Sequence, residues 1–259
     1  MKKFFNLSLI ALILTTSATS LTSCSKDDTV PVIEEPIPTE TFVTIPDAEL
    51  KGAIKEALKL TADEISEKDL LNLTALDLEG LTEVKDLTGL EKATNLTSLH
   101  LGETAVEKLD PIKGLKKITY LRINDTKIAD LTPIKDYTEL TYFNANTGPT
   151  IKDISALAKN KNLKELILRE VAMGNAGMDV IKNFTKLCRL NIRETGVTDI
   201  TVLGGLMQAG ALLKTTPGAA DLGEDAEIDL RDNEISSFTP IASYVENNTA
   251  ITVSGYPKK

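Results

Sequence analysis

The sequence predicts an α/β solenoid. Short parallel strands line a concave side, irregular or 3₁₀ segments form the convex side, and a helical cap covers the N-terminal end. Three observations lead there. An apolar pattern L-x-x-L-x-L, followed by a turn and an x-V/I-x-x-L tail, opens at Leu73, Leu96, Ile118, Leu140, Leu163 and Leu187, at spacings of 23, 22, 22, 23 and 24 residues. Hydrophobic residues make up 42% of the 259 positions but aromatics only 4%, with no Trp, which suits many small equal layers rather than a core built on aromatic anchors. Just before the first repeat, Leu50, Ile54, Ala57 and Leu58 recur at helical spacing.

The first element is an address. Lys2 and Lys3 precede an apolar stretch from Phe4 to Leu14, and a small polar run leads to Cys24. Eleven apolar residues are too few to span a bilayer, so residues 1–23 read as a signal peptide. The run Leu21-Thr22-Ser23-Cys24 resembles the bacterial lipobox, which implies acylation of Cys24 and anchoring of the chain to a membrane through lipid. Ser25-Lys26-Asp27-Asp28 is similar to the acidic export signal of Bacteroidetes-type surface lipoproteins, and the expected location is the cell-surface side of the outer membrane. Residues 24–44, with Pro31, Pro36, Pro38 and several acids, read as an extended tether.

Residues 45–72 read as the cap: a helix over 47–59, then Ser66 and Asp69 at capping-box spacing ahead of Leu70 and Leu71. An uncapped repeat array exposes an apolar end, so a cap is needed there. Residues 73–259 are the repeats. Alternation in L-x-L turns one strand face inward. A single copy cannot bury that face, whereas stacked copies share a continuous core. The cleanest copy has Ile118, Leu121 and Ile123, then Ile128, Leu131, Pro133 and Ile134. A seventh copy opens at Asp225, a polar residue in place of the first Leu, with Ile228 and Leu230 in phase. An eighth, truncated copy places Ile251 and Val253 another 23 residues on. The interval from 187 to 225 is 38 residues, one repeat plus about 16, which puts an insertion near 204–224. Within it Leu203, Leu206, Met207 and Leu212 or Leu213 predict a helix stopped by Thr216-Pro217-Gly218, and the remainder reads as a loop on the convex or edge side.

These copies resemble the leucine-rich-repeat family in its 22-residue, internalin-like bacterial form, over residues 73–253. The resemblance implies a right-handed solenoid with a concave parallel sheet. It also implies an Asn at the turn after L-x-L that bonds to neighbouring backbone. Here that place holds Leu81, Thr104, Thr126, Gly148, Val171, Thr195 and Asn233. Thr can supply a weaker hydroxyl ladder, but Leu81 and Val171 cannot, so the ladder should be interrupted there.

Outward-facing concave positions fall two, four and six places after each opening residue. The two-place column is Ala75, Ser98, Tyr120, Tyr142, Glu165, Arg189, Glu227. The four-place column is Asp77, His100, Arg122, Asn144, Ile167, Asn191, Asp229. The six-place column is Glu79, Gly102, Asn124, Asn146, Arg169, Arg193, Arg231. All five arginines lie in these columns and none of the 24 lysines does (29 basic residues less five). Arginine offers a planar fork of donors and, with Tyr, is enriched at binding hot spots. Tyr120, Arg122, Tyr142, Asn144, Arg169, Arg189, Arg193 and Arg231 are therefore the candidate binding residues. Arg169, Arg193 and Arg231 are each followed by an acid, so a stabilising ladder of alternating charge accounts for the same pattern.

Other classes find little support. The only histidine, His100, has no nucleophile motif, phosphate loop or metal-spaced cluster near it in sequence and reads as an exposed surface residue. No catalytic residue, metal site or cofactor is expected. Once Cys24 is acylated, Cys188 has no intrachain partner, and it reads as a half-buried filler. Loss of Lys2 and Lys3 with residues 1–23 takes the net charge from -9 to -11, which disfavours nucleic acid. The expected function is a monomeric, non-catalytic surface module that recognises a protein or peptide through its concave face, with a glycan as the alternative ligand.

Overall fold

The computed structural model describes residues 40–148 and 150–257. The signal peptide, Cys24 and the tether up to residue 39 lie outside the described residues. Eight strands form one parallel sheet in chain order: β1 (Ala75–Asp77), β2 (Ser98–His100), β3 (Tyr120–Arg122), β4 (Tyr142–Asn144), β5 (Glu165–Ile167), β6 (Arg189–Asn191), β7 (Glu227–Asp229) and β8 (Thr252–Ser254). Each strand is one turn of an α/β leucine-rich-repeat solenoid, the expected fold class. Leu76, Leu99, Leu121, Phe143, Leu166, Leu190 and Ile228 align in register as one core column, each buried.

The cap consists of α1 (Ala48–Leu58) and α2 (Glu67–Leu70). Asp47 ends α1 by accepting from the Leu50 amide at 3.1 Å. Its other oxygen accepts from the Lys85 and Asp86 amides at 3.0 and 3.2 Å, fastening the cap to the first repeat. The expected capping box is present: the Asp69 amide donates to the Ser66 hydroxyl, and the Ser66 amide donates to the Asp69 carboxylate. Order begins before residue 44, where the sequence had placed the end of the tether. The Val43 amide donates to the Ile65 carbonyl, the Glu67 amide donates to the Thr41 carbonyl, and Phe42 bridges to Ser66.

Burial alone would raise the Asp47 carboxyl, but the backbone donors outweigh it and hold it below its ordinary value. A depressed folded pKa stabilises the fold above the unfolded value and loses that contribution as pH falls through the folded one. Asp47→Ala is expected to cost about 1–2 kcal/mol, the range for a lost helix N-cap. In urea melts the difference from wild type should shrink as pH drops below about 4, where the unfolded carboxyl protonates. A variant as stable as wild type at neutral pH would show that Asp47 does not tie the cap down.

After each strand the chain turns through a left-handed residue at the seventh place. Glu103, Asp125, Thr147, Glu170, Glu194 and Asp232 have φ between 53° and 63°, and Gly80 and Gly255 occupy the same place in the first and last copies. This conformation lets each amide reach the next repeat: those of Glu103, Asp125, Glu170 and Glu194 donate to the Asn124, Asn146, Arg193 and Arg231 carbonyls at 3.0 Å. The sheet's hydrogen bonding thus extends past the strand ends.

The convex side changes along the array. In the N-terminal half it is made of 3₁₀ turns, Leu90–Lys92, Asp110–Ile112, Thr132–Ile134 and Ser155–Lys159. Beyond them it carries α3 (Gly174–Ile181), α4 (Thr201–Gln208) and α6 (Thr239–Glu246), more helix than the resemblance implied. α4 and α6 touch at Gly204, where a Cβ would sit 2.5 Å from the Pro240 carbonyl oxygen.

The insertion is placed differently from the sequence reading. Leu212, fully buried, takes the opening-leucine position: its amide donates to the Leu187 carbonyl, and its carbonyl accepts from the Ile251 amide. Asp225 is exposed and opens nothing. The extra residues are therefore 213–225, which include the short helix α5 (Ala219–Leu222), while 201–208 is the ordinary convex segment. In the last copy Val253, not Ile251, lies beside Ile228, a shift of two residues that keeps the same faces in and out.

The turn ladder is also built differently. The Thr104, Thr126 and Thr195 hydroxyls donate to the carbonyl three residues back in their own repeat, at 2.7, 2.7 and 2.8 Å. Asn233 alone reaches across, donating to the Ile192 carbonyl at 2.6 Å and accepting from the Thr195 amide at 3.0 Å. At Leu81 and Val171 the backbone supplies the link itself, through amides bonded to the Leu78 and Leu168 carbonyls.

Candidate functional site: the concave face

Strand register places Ala75, Ser98, Tyr120, Tyr142, Glu165 and Arg189 in one row, with Asp77, His100, Arg122, Asn144, Ile167, Asn191, Asp229 and Ser254 in the next. The predicted columns are therefore rows of the sheet. Their exposure is uneven. Asn144 and Ile167 are buried, and Asp229 is 1% exposed.

The four-place row explains itself through the backbone. Asp77, Asn144, Asn191 and Asp229 each accept from the amide two residues on, of Glu79, Asn146, Arg193 and Arg231, at 2.8–3.1 Å. Short polar side chains that bond the chain two residues ahead hold a turn open where the strand ends. The expectation that Asn144 reaches a ligand is corrected here: its carboxamide is covered, capping Asn146 and donating to the Tyr142 hydroxyl at 3.3 Å. The sequence signal for this role was Asx at a fixed offset before the turn.

Tyr120 and Tyr142 stack face to face, with centroids 4.0 Å apart and planes at 6°, and the His100 ring covers the far side of Tyr120 at 4.9 Å. Adjacent parallel strands hold the same row position about 4.8 Å apart, so equal aromatics there fall naturally into a stack. Burial, more than the neighbouring Tyr142 hydroxyl, pushes the Tyr120 hydroxyl well above its ordinary pKa.

Every arginine has a carboxylate partner. Arg122 forms a two-pronged pair with Glu79 at 2.9 and 2.7 Å, across two repeats. Arg169 meets Glu170 at 2.7 Å, Arg193 meets Asp232 at 2.5 Å, and Arg231 meets Asp229 at 2.6 Å. Arg189 lies 3.6 Å from Glu165 and 3.9 Å from Asp225. The left-handed seventh place supplies two of these acids, Glu170 and Asp232, which is why acids follow arginines in the sequence. The pairs leave capacity unused: Nε of Arg169 and Nε of Arg189 are buried without an acceptor.

Two buried carboxylates behave oppositely. Burial would raise Asp229, but hydrogen bonds from the Arg231 side chain and amide and the guanidinium charge hold it below its ordinary value. At Glu165 burial wins over the Arg189 charge, and its carboxyl is raised. Segment 213–225 lies along the edge where the chain enters the strands. Gly218 sits against Lys164 and Cys188, and Asp225 reaches Arg189 on the concave face. Cys188 is fully buried rather than half-buried, and burial raises its thiol.

At the N-terminal end of the face, His100 lies beside Asp77 and Glu79 of the preceding repeat. This grouping was missed in the sequence because its members are 21 and more residues apart. Reading neighbouring columns across rather than down would have found it. His100 is only partly exposed, not the free surface residue expected.

As a sequence, the chain matches no protein-family model and no curated protein. Its structure is similar to an internalin (inlF) of Listeria monocytogenes, at 27% identity and a TM-score of 0.65, over 77% of this chain and 54% of that one. It is also similar to internalin C2 of Listeria monocytogenes, at 25% identity and a TM-score of 0.65, over 80% of this chain and 95% of that one. Internalin-type leucine-rich-repeat proteins are thus structural neighbours of this chain, and they support an internalin-like family for it.

Proposed function

We propose that this chain is a non-catalytic binding module that recognises a protein or peptide through its concave face. It would be held at the outer-membrane surface by lipid on Cys24. The observation that carries the binding reading is the alignment on one face of the Tyr120–Tyr142 stack with all five arginines. Their forks are held in place by carboxylates before any partner arrives. Pre-ordered side chains lose less entropy on association, and arginines keep further donors for charge-assisted bonds to a ligand. The similarity to internalins agrees with a binding role and does not name a partner. The anchor and location rest on the lipobox-like run and the acidic stretch after it.

The stack bears on the alternative. A sugar ring packs on an open aromatic face, but His100 and Tyr142 cover both faces of Tyr120. The face presents ring edges, hydroxyls and mixed charge, which suit a polypeptide better than a glycan.

The test is a screen of extracellular proteins and peptides with the purified chain, followed by four variants. Tyr142→Ala and Arg193→Ala should each weaken binding by about 1 kcal/mol or more, as anchor residues do. Lys113→Ala and Lys135→Ala, on the convex side, should change it little. If the convex pair matters and the concave pair does not, the arginine row is structural and the binding surface lies elsewhere.

A further inference from the structure

We propose that Asp77, Glu79 and His100 form a binding site for a divalent transition-metal ion at the N-terminal end of the concave face. One ligand atom from each residue lies within 4.8 Å of the others. The Nδ1 atom of His100 is 3.5 Å from Asp77 Oδ1, too far for a good hydrogen bond, and is buried with no hydrogen-bonding partner. An unsatisfied buried ring nitrogen is costly in a native fold. An ion bridging Nδ1 and the two carboxylates satisfies it.

The three side chains are positioned before an ion arrives. Asp77 and His100 are register partners on β1 and β2. Asp77 is steadied by the Glu79 amide at 3.0 Å, and the His100 ring packs at 4.9 Å from the Tyr120 ring. Neighbours that fix ligand orientation in this way are what a metal site requires beyond its ligands. One imidazole nitrogen with two carboxylate oxygens is a mixed donor set that suits zinc and its first-row neighbours.

Glu79 is shared with Arg122, which donates to both its oxygens. A carboxylate has about four lone-pair positions, so one oxygen can bind an ion while the guanidinium stays in place. Two carboxylates against one guanidinium leave the site net negative. Its remaining coordination positions face a shallow pocket of about 590 Å³ between α1 and the sheet, lined also by Glu56, Ala57 and Ser98. None of this depends on the concave arginine row binding a partner.

The probe is zinc chloride titrated into the untagged full-length chain, followed by calorimetry and by the nitrogen resonances of the chain's single histidine. Saturable binding of one zinc per chain is expected, with the His100 Nδ1 resonance moving to a coordinated position. His100→Ala and Asp77→Asn should each weaken binding by about tenfold or more. Absence of saturable binding, an unmoved imidazole resonance, or wild-type affinity in both variants would overturn the site. Zinc held instead by the thiols would survive His100→Ala, and that outcome counts against it equally.

Discussion

Leu121→Ala is expected to destabilise the array by about 2–5 kcal/mol, the range for truncating a buried leucine. Leu121 is fully buried on β3, in register between Leu99 and Phe143. In a solenoid each layer touches only its two neighbours, so a cavity in this layer weakens both of its interfaces. Arg193→Ala on the concave side should cost far less. Its pair with Asp232 is partly exposed, and such pairs contribute about 0–1 kcal/mol. Urea unfolding measures both: the midpoint should fall steeply for the first variant and slightly for the second, with little change in slope. Equal losses would mean that the arginine row is a principal source of stability, and the case for a ligand-facing row would lose its main support.

The solenoid was legible because its signal is redundant. Leu99, Leu121 and Leu166 each repeat the same statement about an inward face, and any one could be lost without hiding the period. The rows of the concave face were legible for the same reason, since register follows from the repeat. Failures occurred where one residue carried the information alone. Leu212 opens a repeat but lies 13 residues before its strand, so the nearest in-phase residue, Asp225, took its place in the sequence reading. The last repeat slipped by two because Ile251 and Val253 are equally apolar and alternation cannot choose between them.

Side-chain roles on the face were less legible than its rows. Outward position was readable for Asn144 and Asp229. Their burial was not, because it depends on Arg231 and Tyr142 folding over them. The arginine pattern was readable, but its partners lie at i−43 for Arg122, i+39 for Arg193 and i−2 for Arg231, and no local rule yields that set. Segregation of arginine from lysine therefore reports two things at once. A planar fork is the side chain that can bridge carboxylates on neighbouring strands, and it is also one that keeps donors for a ligand.

Removing the cap should have the largest effect of all. A chain shortened to begin at Leu73 loses α1, α2 and the extended segment paired with them. Leu50, Ile54, Ile65 and Leu70, all at 1% exposure or less, form the apolar layer that closes the array. Each fully buried side chain of this kind contributes about 1.5–3 kcal/mol, while a domain's whole net stability is about 5–15 kcal/mol. Four such losses approach that total even after the entropy of ordering the cap is returned. The anchor at Asp47 is lost with them, so the Lys85 and Asp86 amides also lose their acceptor. The shortened chain should aggregate, or unfold over a broad range of urea with a reduced slope, with hydrogen exchange fastest in β1 and β2. Size-exclusion chromatography with a urea melt tests this. A soluble monomer with the midpoint and slope of the intact chain would show that residues 40–72 are an appendage and that the first repeat closes the core by itself.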